Sequence, residues 1–398
     1  MFMKNDTLKL MLLSIFVDEW NVFTVPMLGI FLIRYFNADA AWTGILTGAT
    51  LGGAAIGSIL GGIINDSLGR RKSFLINNII FIIAAIASLF SRNVLMFTVS
   101  RFIAGFPVGS DIPNVYSYIM ESSSPGKREY FGTMNTEMAT LAILSINSII
   151  LLMLLIHLSK IIWRLVIFSS VIPNIILLIN YNRLDNISVN NHGYINFIKK
   201  LRENNLKWHA TLYSWICGIC SSVEVSTFAF FIPYIVTRLH IYNIIGSRII
   251  ILLIYAFGVP AGIIGPLMLP RLGLKRLGSY GFIIAFISLI GSGLSIYLGR
   301  YYITLIFMVI FIFGNHWNNQ PLLTAQALVS SREYRGTAIG LSNFIGNVPS
   351  FLAVLAFPTI VSIIGLGIAT MLISIASLTG IIVSSKVFIE IYRYTESF

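Results

Sequence analysis

Residues 61–72 read Gly-Gly-Ile-Ile-Asn-Asp-Ser-Leu-Gly-Arg-Arg-Lys, and the fold follows from where this stretch recurs. An apolar run leads into it, Asp66 interrupts that run, and three consecutive basic residues end it at 70–72. Further on, Pro270-Arg-Leu-Gly-Leu-Lys-Arg276 keeps the glycine and the basic ending of Asp66-Ser-Leu-Gly-Arg-Arg-Lys72 at an offset of 204 residues. The same offset relates Arg128-Glu-Tyr-Phe-Gly-Thr133 to Arg332-Glu-Tyr-Arg-Gly-Thr337. Two separated segments sharing one offset mark a duplicated chain, a plan used by membrane proteins whose ligand site lies between the repeats.

Composition points the same way. The 398 residues are 56% hydrophobic and only 11% charged, with a mean hydropathy of +0.84. A soluble domain carries about 25% charged residues to cover its surface. Soluble globular, disordered, collagenous and disulfide-scaffold proteins are therefore excluded. The net charge of +12 invites a nucleic-acid reading, but no soluble face is present to concentrate it, so no nucleic-acid partner is expected. Cys217 and Cys220 form a CxxC inside an apolar run and read as buried free thiols.

A helix needs about 20 mostly apolar residues to cross a bilayer. Segments of that kind fall at 9–33, 42–65, 73–92, 95–120, 131–157, 161–181, 208–237, 244–269, 277–299, 302–328, 334–360 and 362–389. The expected fold is an all-α membrane protein with twelve transmembrane helices in two pseudo-symmetric six-helix bundles. Residues 1–181 form the first bundle, 182–207 a central cytoplasmic loop and 208–398 the second bundle. The first segment lacks a small-residue cleavage site and reads as a retained span. Most lysines and arginines lie on the side of the 61–72 loop, which predicts a multi-pass cell-membrane protein with both termini in the cytoplasm.

The 61–72 loop resembles the signature of the major facilitator superfamily: Gly, three residues, Asp, a basic residue, any residue, Gly, Arg, then Arg or Lys. Gly62, Asp66, Gly69, Arg70 and Arg71 match, and Ser67 departs from the usual basic residue. The resemblance implies a gating loop in which the acid and the arginines lock the two bundles on the cytoplasmic side and release them during the cycle. In the fourth span, Arg101-x-x-x-Gly105-x-x-x-Gly109-x-Asp111-x-Pro113, followed by Glu121 and the sequence PGKREYFGT, is similar to proton-linked metabolite symporters. Its Gly-x-Asp-x-Pro portion is similar to phosphate–proton symporters.

Ionisable groups within a span are costly and face a cavity or a partner, so they are functional candidates. Asp18 and Glu19 in span one, and Asp111 and Arg101 in span four, are the proton-coupling candidates. A carboxylate exposed alternately to either side loads a proton from one and releases it to the other. Adjacent helical residues point about 100° apart, so Asp18 and Glu19 are not expected to face one spot. The alternative for both is a pair of structural acids at a helix kink. Arg101 is expected either to pair with a carboxylate or to snorkel to the interface, while Arg164 and Arg248, near span ends, read as interfacial anchors.

Span ten holds a polar island, Gly314-Asn-His-Trp-Asn-Asn-Gln-Pro321, whose hydrogen-bonding side chains cannot face lipid. Asn315, His316, Trp317, Asn319 and Gln320 are therefore substrate-binding candidates, with Trp20, Asn21, Tyr116, Asn135, Glu137, Trp215 and Glu224. No metal-ligand pattern, P-loop or nucleophile motif is present, so no cofactor, metal site or enzyme activity is expected. The expected function is secondary active transport of a small polar metabolite by alternating access, coupled to protons, by a monomer in the lipid bilayer. An inorganic phosphate or sugar symporter and a transporter-like solute receptor without transport are the alternatives.

Overall fold

The computed structural model describes residues 2–158, 161–184, 197–202, 204–238 and 242–394. Nine helical stretches are long and apolar enough to cross a bilayer, and one of them, Ile244–Tyr297 with 54 residues, is long enough to cross twice. Two more helices of 29 residues, Val94–Ser122 and Tyr301–Val329, match them in length but carry polar residues in their interiors. Among the described residues this makes twelve crossings, in the order the hydropathy predicts. Spans one to six are Phe2–Phe36, Ala40–Leu68, Arg70–Leu89, Val94–Ser122, Asn135–Leu155, and the pair Ile162–Ser169 and Val171–Asn180. Span seven is Asn205–Thr227 continued by Ile232–Arg238, and span eight is Ile244–Ala256 continued into Gly258–Tyr297, whose later part is span nine. Spans ten to twelve are Tyr301–Val329, Arg335–Ile364 and Leu366–Lys386.

The duplicated loop is duplicated in backbone geometry as well. Gly69 has φ 84° and Gly273 has φ 69°, the same left-handed turn at equivalent places in the two repeats. Side chains with a Cβ rarely adopt that conformation, which is why glycine survives at both. In the second repeat a Cβ on Gly273 would also meet the Glu390 carboxylate, which accepts from the backbone N–H groups of Leu274 at 3.1 Å and Lys275 at 2.9 Å.

Small residues set the helix approach, as expected where lipid supplies no hydrophobic drive between helices. Spans two and four touch through Gly53, Gly57, Gly105 and Gly109, each facing a carbonyl oxygen of the other helix too closely for any Cβ. Spans two and eleven join the bundles along most of their length, from Gly44 against Leu355 to Gly62 against Gly336. Large apolar side chains such as Ile83, Ile179 and Ile363 point outward. Two clusters of buried apolar residues fill the opposite ends of the interior, and polar residues lie between them.

Span seven is not one continuous helix: it breaks at Phe228 into a short 3-10 turn, Ala229–Phe231, before resuming. Span six is interrupted at Ser170. Of the expected central loop, 182–207, residues 185–196 and 203 lie outside the described residues; the rest include the end of a 3-10 turn, Tyr181–Arg183, the short helix Phe197–Arg202 and the start of span seven.

Candidate functional site

Between the bundles lies a cavity of about 180 Å³, walled by both repeats. Its lining residues recur at helical spacing: Ile15, Asp18, Glu19 and Val22 on span one, and Val108, Ile112 and Tyr116 on span four. Thr136 and Thr140 line it from span five, Ser214, Gly218 and Ser222 from span seven, and Asn315, His316 and Asn319 from span ten. Spacings of three and four residues place a single face of each helix on the chamber.

Both acids of span one reach the wall, contrary to the sequence expectation. A face about 100° wide accommodates two adjacent residues at its edges, so Asp18 and Glu19 flank the stripe rather than compete for it. Glu19 is partly exposed to the chamber, whereas Asp18 is 1% exposed and neither of its carboxylate oxygens has a hydrogen-bond partner among the described residues.

Asp111 is placed differently. It is not among the residues that line the chamber, and it accepts hydrogen bonds from Ser14 Oγ and from Asn77 Nδ2, the latter at 3.3 Å. Arg101 does not snorkel: it is 1% exposed, and its Nη2 donates to Asn21 Oδ1 at 3.4 Å. Asn21 therefore serves as a partner for Arg101 rather than as part of the wall, and Trp20 is buried in the apolar cluster beside it.

Of the other candidates, Tyr116, Asn135, Asn315, His316 and Asn319 line the chamber. Trp317 Nε1 donates away from it to Ala261 O at 3.2 Å, and Trp215 Nε1 donates to Ser342 Oγ at 3.0 Å. Glu137 packs over Gly262 between spans five and eight. Glu224 is buried behind the wall, accepting from Ser377 Oγ at 2.5 Å, Asn318 Nδ2 at 2.8 Å and Asn315 Nδ2 at 3.5 Å.

Gln320 bridges the bundles. Its Nε2 donates to Thr136 Oγ1 at 3.1 Å, and one helical turn along each helix His316 Nε2 and Thr140 Oγ1 share a hydrogen bond of 2.6 Å. Gly132 lies against Thr324 a further turn in the other direction. Spans five and ten are thus joined by rungs four residues apart, running antiparallel toward the end that carries the 61–72 loop.

At that loop end, Asp66 Oδ2 accepts from both the backbone N–H and the Oγ1 of Thr337 at 2.8 Å. Arg70, fully buried, does not pair with Asp66 but with Glu121 at 2.6 Å, and Glu121 in turn receives Arg335 from the second bundle at 3.1 Å. Arg71 stays within its own bundle, donating to Asn182 Oδ1 at 2.6 Å. Ser67, the departure from the signature, bonds back to Ile64 O of its own helix.

At the opposite end, Phe23 and Phe230 meet edge to face with ring centroids 5.0 Å apart. Beside them Arg248 of span eight crosses to span one, its Nη1 donating to Met27 O at 2.9 Å and to Asn147 Oδ1 of span five at 3.4 Å. Arg248 is therefore no interfacial anchor; it is 1% exposed, because a turn of helix carries its guanidinium inward onto the Phe31 ring. Arg164 does lie near the surface, over Trp163 and bonded to Tyr35 Oη.

Ser222, Asn343, Asn347 and Ser350 also line the chamber, and the sequence reading passed over them. Their signal was available: 343, 347 and 350 form a polar stripe at helical spacing in an otherwise apolar span eleven.

Two repeat-related helix bundles closed around a polar chamber are the architecture of a polytopic membrane protein with a cavity between its halves. The model of the Major Facilitator Superfamily matches residues 10–354, and the chain belongs to that family. It is 37% identical over 99 residues to the major myo-inositol transporter IolT of Bacillus subtilis (strain 168), a match spanning 25% of this chain and 21% of that protein. It is 24% identical over 391 residues to the probable metabolite transport protein CsbC of the same organism, covering 87% of this chain and 84% of that one. Among solved structures, the proton:xylose symporter XylE bound to 6-bromo-6-deoxy-D-glucose superposes with a TM-score of 0.79 at 14% identity, over 98% of this chain and 97% of that one. A partially occluded inward open conformation of the xylose transporter XylE from E. coli superposes at 0.76 with 15% identity, over 97% and 99% of the two chains.

Proposed function

We propose that this protein is a secondary transporter that carries a small polar metabolite across a membrane by alternating access, with proton movement coupled through Asp18. The observation that carries the reading is a chamber held shut at both ends by contacts between bundles. Asp66–Thr337 and Arg335–Glu121 close one end, and Arg248–Met27 and Phe23–Phe230 close the other. Each set breaks if the bundles rock about the chamber, so opening one end while keeping the other shut exposes the chamber to one side at a time. Asp18 suits the coupling role because its carboxylate borders the chamber without a fixed partner. Arg101 and Asp111 act behind it, as the polar support of spans one and four.

The orientation that fits the basic residues places the 61–72 loop, both termini and the central loop in the cytoplasm of a cell in whose membrane the protein works as a monomer. Relatives named as inositol and glucose transporters favour a sugar-like solute over inorganic phosphate. The chamber agrees, since no lysine or arginine stands among its lining residues to meet a phosphate.

Uptake into proteoliposomes with and without an imposed pH gradient tests this reading. Wild-type vesicles are expected to accumulate solute above equilibrium only with the gradient, and Asp18→Asn vesicles to equilibrate without accumulating. Saturable binding without any flux would instead identify a solute receptor.

A further inference from the structure

We propose that the solute taken into this chamber bears an ammonium group, held by the Glu19 carboxylate; the proposal rests on the transport reading above and names the class of its substrate. Three independent features of the wall lead there.

The first is charge. Asp18 and Glu19 both border the chamber, and no lysine or arginine does. Glu19 makes no hydrogen bond or ion pair with any described residue. A chamber that closes over two uncompensated carboxylates is costly in the middle of a bilayer. One proton on Asp18 and one ammonium against Glu19 neutralise the pair, so the loaded chamber closes without a stranded charge.

The second is the direction of the hydrogen bonds. Ser58 Oγ donates to Ala54 O at 2.6 Å, and its single hydrogen is then used. It must therefore accept from Asn343 Nδ2 at 2.9 Å and Asn347 Nδ2 at 3.3 Å, which fixes how both amides are turned. Asn315 is fixed in the same sense, because its NH2 faces the Glu224 carboxylate, which accepts hydrogen bonds in its ionised form. In all three cases the amide carbonyl oxygen accepts from no described residue and is available to a solute. Tyr255 Oη likewise donates within the protein, to Ala229 O at 2.6 Å. These three amide oxygens are available to a solute as acceptors, while Tyr116 Oη, which has no hydrogen-bond partner among the described residues, and the Asn319 NH2, left over where its Oδ1 accepts from Asn135 Nδ2 at 3.3 Å, are available as donors. An ammonium is all donor and no acceptor, so it complements Glu19 and these oxygens, whereas a carboxylate or phosphate meets no cation among the lining residues.

The third is aromatic. Phe23, Phe230, Tyr116 and Tyr255 contribute rings to the same chamber. Ring faces attract a cation, and more strongly once water is excluded.

The experiment compares matched solutes that differ by one amine: glucosamine with glucose, and 3-amino-1,2-propanediol with glycerol. Binding to the full chain reconstituted in proteoliposomes is measured for wild type, Glu19→Gln and Glu19→Asp, and the readout is the ratio of affinities within each pair. In wild type the amine is expected to bind at least tenfold more tightly in one or both pairs. Glu19→Gln should bring that ratio to about one, and Glu19→Asp should keep most of it. A ratio changes only if amine discrimination changes, so partial loss of folded protein does not imitate the result. Equal or tighter binding of the neutral partner in wild type, or an amine preference that survives Glu19→Gln, overturns the proposal and leaves the transport reading standing. Failure of every solute to bind overturns the reading of the chamber as a small-solute site, and the proposal with it.

Discussion

Arg248 Nη1, on the second bundle, donates 2.9 Å across the interface to the main-chain carbonyl of Met27 on the first. This is a charged group drawn fully inside the protein to tie together the helix ends farthest from the 61–72 loop. Asn147 Oδ1 shares the guanidinium at 3.4 Å, so three spans from both bundles meet at one side chain. A hydrogen bond to a charged donor contributes about 1.5–3 kcal/mol.

Replacing that arginine with an isosteric neutral side chain should therefore loosen one end selectively. Arg248→Met is expected to raise several-fold the rate at which a cysteine introduced at chamber-lining Thr140 reacts with an impermeant maleimide added from the side opposite the 61–72 loop. An unchanged labelling rate would show that the contact does not hold that end shut.

The loop end offers the mirror test. Asp66→Asn weakens a carboxylate that accepts two hydrogen bonds from Thr337, a change of roughly tenfold or more in the closed-to-open equilibrium at about 1.5 kcal/mol or above. Spin labels on spans four and eleven near Glu121 and Arg335 should report a longer distance in the variant. Identical distance distributions would remove Asp66 from the closing mechanism.

Steric closure is testable without touching a charge. A Cβ on Gly340 would lie 2.3 Å from the Ser58 carbonyl oxygen, so spans two and eleven cannot pack as they do with any larger residue there. Gly340→Val is expected to reach the membrane in normal amount yet to lose at least nine-tenths of its uptake rate. Normal uptake would mean that this close approach is dispensable.

Asp18 and Asp111 should separate in function. Asp111 accepts from Ser14 and Asn77 and does not line the chamber, whereas Asp18 borders it without a partner. Asp18→Asn is expected to abolish gradient-driven accumulation, while Asp111→Asn should keep it at a lower rate and melt earlier by several degrees. Equal loss of accumulation in both would make the two acids one coupling unit.

What could be read beforehand, and what could not, divides along physical lines. The span count was legible because lipid imposes a length and an apolarity on every crossing, and both are local properties of the chain. The left-handed turns at Gly69 and Gly273 were implicit in the repeat because backbone conformation there admits little but glycine. The break at Phe228 was not, since its residues are as apolar as the helix around them.

Side-chain destinations were the weak point. Arg101, Arg248 and Asp111 are strongly polar residues at known depths, yet depth does not say which neighbouring helix a side chain meets. Asn343 and Asn347 could have been found from their helical spacing, but their partner, Ser58 on another helix, could not.

The sequence by itself determined that this chain lives in a membrane, crosses it repeatedly and is built from two related halves, because hydropathy and repetition are written along the chain. Only the tertiary structure decided that Asp18 and Glu19 share a chamber, that Arg248 bridges the halves, and that Asn343 and Asn347 turn their NH2 groups to Ser58. Those outcomes depend on which faces of separate helices meet, and helix–helix packing in lipid is set by close steric fit and paired polar groups across the fold.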